Sequence, residues 1–251
     1  MDLGLKGRVA VITGCSVGIG RDVAKVLAAE GAQTIVVARR AALLESLQRE
    51  IEADGGLRPL ALTLDLYDRD APARLRDAAL GAHGRVDVLV NNAGGSRPMP
   101  WDSPDEAWDE SFAINFTAVR KTTQAFLPGM IERRWGRVVC VTGTMEPAQV
   151  NAAIAAKAGV HAWAKGLSRE MAPHGITVNC VSPGRVHSEQ IDEKLHPTPE
   201  SQAAYTRANI PMGYFGEAVD VAWMIAFLCS ERARYVTGER VHVDGGMRRA
   251  V

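Results

Sequence analysis

The chain has 251 residues, 47% of them hydrophobic, and its 29 basic and 29 acidic residues cancel at neutral pH. That size and apolar content suit one α/β domain with a substantial core, and the charge balance argues against nucleic acid or anionic lipid as a partner. Cys15, Cys140, Cys180 and Cys229 are widely spaced with no C-x-x-C pair, which predicts free thiols in a reducing compartment and no metal site.

The first ten residues carry an early acid, Asp2, and no apolar run long enough for a signal-peptide core or a membrane span. They predict a cytoplasmic protein without a membrane partner. A strand is predicted over 8–13 and a helix over 18–30, followed by a strand over 34–38 and a helix over 41–53. The alternation continues with a strand over 58–64, a helix over 69–82 and a strand over 86–91. A long helix is predicted over 104–133, where Ser103, Pro104 and Glu106 offer an N-cap, a first-turn proline and a capping-box acid. Next come a strand over 137–142, a helix over 151–173 and a strand over 177–181. An irregular stretch over 184–215, broken by Pro197, Pro199 and Pro211, interrupts the rhythm and suits a lid over a ligand. A helix over 217–229 and a strand over 240–243 complete the chain. The strand cores are continuous Val-Ile-Leu runs, as expected of a parallel sheet covered by helices on both faces.

Thr13-Gly14-Cys15-Ser16-Val17-Gly18-Ile19-Gly20 follows the first strand and opens a helix. Glycines there let the turn close and bring backbone amides near a pyrophosphate, while the helix N-terminus favours the negative charge. Gly14, Ser16, Gly18, Ile19 and Gly20 are therefore candidate dinucleotide ligands. The second strand ends Val37-Ala38-Arg39-Arg40. A carboxylate at that point bonds the ribose of NAD, whereas an arginine accommodates the extra phosphate of NADP. Ala38 with Arg39 thus favours NADP(H) over NAD(H).

The glycine-rich turn, then Asn91-Asn92-Ala93-Gly94, Asn115, Lys157, Pro183-Gly184 and Val243-Asp244-Gly245-Gly246, resemble in order and spacing the short-chain dehydrogenase/reductase family. The resemblance spans nearly the whole chain. It implies a single Rossmann-like domain over 1–251, a doubly wound parallel sheet of seven strands, with 184–215 folding over the substrate. It further implies that Asp65 and Leu66 meet the adenine, that Asn91, Ala93 and Gly94 line the middle of the cofactor, and that Pro183 and Gly184 complete its site. Homodimers or homotetramers are implied too, through paired helices that here would use the long helix from Pro104 and the small-residue face around Ala152, Ala156 and Val160.

The family's catalytic set is Asn, Ser, Tyr and Lys. Asn115 and Lys157 match it, but the position four before the lysine is Ala153, which carries no proton. The family serine falls near Gly143, flanked by the hydroxyls of Thr142 and Thr144. Losing a positioned acid costs about 10²–10⁴ in rate. The proton then comes from a lid residue (His187, His196, Tyr205 or Tyr214), from Glu146, or from water, or it is not needed, as for a protonated imine. His161, one turn beyond Lys157, is expected to point away from the site. Five scattered tryptophans make no stacking platform for bases. The expected activity is NAD(P)(H)-dependent redox chemistry on a small carbonyl, alcohol or imine. The alternatives are a cofactor-binding protein without turnover and a non-redox lyase or epimerase.

Overall fold

A computed structural model describes residues 2–96, 99–147 and 149–249. Seven strands form one parallel sheet: β1 (Val9–Thr13), β2 (Gln33–Ala38), β3 (Leu60–Thr63), β4 (Val88–Asn91), β5 (Gly136–Val141), β6 (Ile176–Pro183) and β7 (Arg240–Val243). Their order across the sheet is β3-β2-β1-β4-β5-β6-β7. The direction of winding reverses between β1 and β4, the point at which open α/β sheets leave a crevice for ligands.

Helices α1 (Gly18–Ala29), α2 (Ala41–Ala53), α3 (Ala71–His83), α4 (Asp105–Phe112), α5 (Ala118–Arg133), α6 (Ala152–Met171), α7 (Pro199–Asn209) and α8 (Ala218–Cys229) supply the connections. Strand parity divides the core. Ala10, Ile12, Val36, Val90, Val139 and Val181 pack against Val23 and Leu27 of α1 and Val221 and Ile225 of α8. Val9, Val11, Ile35, Leu89, Val138 and Val178 face the other way, toward Leu75 of α3, Met130 of α5 and Val160 of α6. Both faces of the inner strands are dry, which is why those strands read as unbroken apolar runs.

Three expectations need correction. The predicted helix over 104–133 is interrupted by a π-helical turn, Ala113–Thr117, between α4 and α5. Its N-cap is Pro104, without a side-chain cap, while the Ser103 hydroxyl turns back to donate to the Pro100 carbonyl at 2.8 Å. The face around Ala152, Ala156 and Val160 is no exposed seam: all three are at most 1% accessible, within the chain's own packing. The stretch over 184–215 is also less irregular than its prolines suggest. It contains a π-helical turn, Ile191–Leu195, and α7, whose Thr198 and Ser201 form a reciprocal capping box.

Candidate active site

The carboxyl ends of the strands open into one cleft of about 1350 Å³. Its first wall is the turn after β1. Thr13 Oγ1 accepts from the backbone N–H groups of Asn92 and Ala93, each at 3.0 Å, and the Asn92 side-chain amide donates to the carbonyls of Thr13 and Gly14 at 3.1 and 3.0 Å. These bonds tie the β1 and β4 turns together across the switch point. Gly14 takes φ +74°, and a Cβ there would lie 2.9 Å from Ala93 Cα. A Cβ on Gly20 would lie 2.4 Å from both Asn92 Nδ2 and the Gly14 carbonyl.

Most of the residues singled out in the sequence line this cleft: Gly14, Ser16, Gly18 and Ile19, then Arg39, Asp65, Leu66, Ala93 and Gly94, and finally Pro183 and Gly184. Two do not. Gly20 is buried and keeps α1 close to the β4 turn. Asn91 sits at the end of β4 with its side chain on the α5 face, where its amide donates to Thr123 Oγ1 at 3.0 Å. Asn92, one residue on and of opposite parity, lines the cleft instead.

At the β2 end of the cleft, Arg39 is 70% exposed and its guanidinium lies 3.9 Å from Asp65. Asp65 also accepts from the Tyr67 backbone N–H at 3.1 Å. Arg40 reaches across the mouth, with both terminal nitrogens 3.1 Å from the Glu189 carboxylate and one 3.0 Å from Ser16 Oγ. A carboxylate from the segment after β6 thus rests beside the glycine-rich turn.

At the other end, Asn115 lies in the π-helical turn, where its amide donates to the carbonyls of Ser111 (2.9 Å) and Gly95 (3.0 Å) and its carbonyl accepts from Gly95 N–H at 3.2 Å. A Cβ on Gly94 would come within 2.7 Å of Asn115 Oδ1, so this asparagine sets the position of the loop after β4. Lys157 extends from α6 and its ammonium donates to the Thr142 carbonyl at 3.2 Å. Burial lowers its pKa to about 8. Ala153, one turn earlier, is 1% accessible and also lines the cleft. The Asn151 side chain caps α6 by accepting from the N–H groups of Ala153 and Ile154 at 3.0 and 3.3 Å.

The two threonines differ. Thr144 is exposed and accepts from the Glu146 N–H at 3.1 Å. Thr142 is buried in the floor, its hydroxyl 3.1 Å from the Val181 carbonyl, 3.0 Å from Ser182 Oγ and 2.7 Å from His161 Nε2. As expected, His161 itself does not line the cleft, but its ring reaches Thr142, which does. Burial, followed by the charges of Arg240, His242 and Lys157, lowers its pKa to about 4. It is neutral at physiological pH.

Of the candidates in the lid stretch, Tyr205 lines the cleft, with Arg185 stacked 4.6 Å above its ring. His187 also lines it but is engaged with Asp192 at 2.8 Å. Tyr214 and His196 lie outside it; His196 packs on Tyr205 with ring centres 4.6 Å apart. Sequence reading passed over Ser182, Arg240, His242 and Arg248, which line the same cleft from β6, β7 and the chain beyond. Their signal was weak, because no local motif joins residues brought together only by the pairing of β6 with β7.

The family described as enoyl-(acyl carrier protein) reductase matches residues 14–248. The chain belongs to the short-chain dehydrogenase/reductase family. Among relatives of this short-chain family member, the 3-oxoacyl-(acyl-carrier-protein) reductase of Haemophilus influenzae is 36% identical, over 97% of this chain and 99% of its own. Nodulation protein G of a Rhizobium species, strain N33, is 38% identical over 97% and 98% respectively. The solved L-sorbose reductase of Gluconobacter frateurii, complexed with NADPH and L-sorbose, superposes with a TM-score of 0.94 over the full length of both chains, at 28% identity. The short-chain family is one of NAD(P)-dependent oxidoreductases. Among the described residues no helix is long and apolar enough to cross a membrane.

Proposed function

We propose that this chain is an NADP(H)-dependent oxidoreductase acting on a small carbonyl, alcohol or imine, and that it works without the tyrosine acid usual in its family. The observation that carries this reading is the Lys157 ammonium, held at the Thr142 carbonyl in the same cleft as the glycine-rich turn. The residues present fit a dinucleotide. Gly14 and Gly18 take φ +74° and +60°, a backbone that lets the start of α1 present its N–H groups to a pyrophosphate. Arg39, with Ala38 before it, provides a guanidinium and no carboxylate at the end of β2. In this reading Gly14, Ser16, Gly18 and Ile19 hold the phosphates, Arg39 the 2′-phosphate, and Asp65 and Leu66 the adenine side. Ala93, Gly94, Pro183 and Gly184 shape the middle of the site.

When bound, the nicotinamide supplies or accepts a hydride. Lys157 binds the nicotinamide ribose, and Asn115 fixes the loop that forms the opposite wall. The exposed Thr144 hydroxyl meets the substrate, while Thr142 holds the floor and, through its carbonyl, the lysine. Ala153 offers no proton. A carbonyl oxygen takes its proton from water or from a group that the 184–215 segment brings in, and a protonated imine needs none. The test is to titrate NADPH and NADH against tryptophan fluorescence, then to follow cofactor absorbance with a panel of ketones, alcohols and imines. NADPH binding with turnover in wild type, lost in Lys157→Ala, supports the reading. Binding with no turnover on any substrate favours a cofactor-binding protein without redox activity, a second reading that rests on Ala153.

A further inference from the structure

Deepening the redox reading above, on which the naming of a substrate rests, we infer that the substrate carries a carboxylate, held by Arg240, Arg248 and His242 on the β7 side of the cleft. The three residues line the cavity together. Arg240 Nε donates to Ser182 Oγ at 2.9 Å and a terminal nitrogen to the Gly143 carbonyl at 3.2 Å, while Arg248 donates to His242 Nδ1 at 3.3 Å. All of these acceptors are neutral. The neighbouring acids Asp244 and Glu146, whose charges reach Arg240 and His242, hydrogen-bond the backbone: Asp244 accepts from the N–H groups of Gly246 and Arg248, and Glu146 from that of Arg249. Positive groups are thus gathered in a partly buried place where, among the described residues, no carboxylate is in ion-pair contact with Arg240 or Arg248.

His242 adds a second observation. An arginine can only donate, so accepting from Arg248 at Nδ1 leaves the proton of the neutral ring on Nε2. That nitrogen is buried and has no hydrogen-bond partner. An orphaned buried donor costs about 1–3 kcal/mol, and a turn of the ring that exposed it to an anion beside Arg240 and Arg248 would satisfy it. Burial, then Arg248, weakens the hold of Arg240 on its proton, in keeping with like charges kept close.

Position selects the substrate. Lys157 binds the Thr142 carbonyl and Arg240 the next one, that of Gly143, and consecutive residues are about 3.8 Å apart. A carboxylate on Arg240 would therefore lie on the same stretch of cleft floor as Lys157, which suits a short 2- or 3-oxo acid and the matching hydroxy acid. In reduction, the carbonyl carbon takes a hydride from the reduced cofactor and the oxygen takes a proton from water. The products are the hydroxy acid and the oxidised cofactor.

Calorimetric titration of the full chain with 3-hydroxybutyrate, with its neutral amide and with inorganic phosphate tests this, alongside NADPH titration of the same samples by fluorescence. The acid should bind at least about tenfold tighter than the amide, as expected for charge-assisted hydrogen bonds. Arg248→Ala, at an exposed position, should reduce that preference to under about threefold without changing NADPH affinity, and His242→Phe should do the same. Equal binding of acid and amide, a preference untouched by both variants, or phosphate binding as tightly as the acid (an adventitious anion only) would overturn it. Acid binding with preference but no NADPH binding keeps the anion site and discards the redox reading. The reverse discards the anion site alone.

Discussion

Ala153 places a methyl group in the wall of the cleft one turn before a lysine whose ammonium is already oriented. If the scaffold lacks only an acid, Ala153→Tyr should raise ketone reduction, by about tenfold or more given the 10²–10⁴ that a positioned acid contributes, and should leave imine reduction nearly unchanged. Steady-state rates on a matched ketone and imine check this. Lys157 gives a second expectation. Its pKa near 8 means the ammonium is lost as pH rises through that value. NADPH binding that depends on it should weaken between pH 7 and about 9, and Lys157→Arg, which stays charged, should flatten the profile. Fluorescence titration across that range is the measurement. Gly14 was legible because it sits in a local motif with a physical reason for its residue type, whereas Asn115 and Lys157 were found through the family resemblance. Asn91 and Asn92 were not told apart, although strand parity alone sends the second toward the cleft. The His161, Thr142, Ser182 and Arg240 cluster was invisible, since its members meet only through the register of β5, β6 and β7.

The π-helical turn between α4 and α5 shows why elements were easier to find than their interruptions. Its apolar positions continue the helical pattern, and the extra residue serves to turn Asn115 into the loop after β4, a placement no periodicity announces. Arg134 closes α5 in the left-handed region at φ +52°. Arg134→Gly should raise stability by about 0.5–1 kcal/mol through relief of that conformation, reduced by the loss of its hydrogen bond to the Pro173 carbonyl; thermal unfolding decides. Between β2 and the stretch after β6, Glu189 occupies the Arg40 guanidinium that stands beside Ser16. Both side chains are about half exposed, so the pair is worth at most about 1 kcal/mol. Glu189→Ala should therefore strengthen NADPH binding by no more than about fivefold, with a smaller effect on NADH. Unequal changes in the two dissociation constants would identify the freed charge as a phosphate ligand.

Over the whole chain, the alternation of short apolar runs with helical segments was enough to read seven parallel strands and their helices, because a sheet dry on both faces leaves the same unbroken signature in its inner strands, while the edge strands β3 and β7 are only half-buried. Strand ends were less legible. β6 runs on to Pro183 by pairing with β7, a partner about 60 residues away. All four cysteines are buried, and burial raises the thiol pKa of Cys15 and Cys229 to about 12. The native protein should therefore release no colour with a thiol-specific disulfide reagent and four equivalents once unfolded. Acid should also weaken the fold. The pKa of His161 drops from 6.5 to about 4 on folding, so between those values the unfolded chain binds the extra proton and stability falls as pH falls. Melting temperatures of wild type and His161→Gln from pH 7 to 4 should converge at the acid end.

Because the cleft is built at the carboxyl ends of the strands, the helix-to-strand turns at the other pole take no part in it. Asp54, exposed in the turn between α2 and β3, is one such position. A single cysteine introduced there would be the chain's sole reachable thiol, through which the protein could be anchored to an electrode or bead with its mouth turned toward the bulk solution.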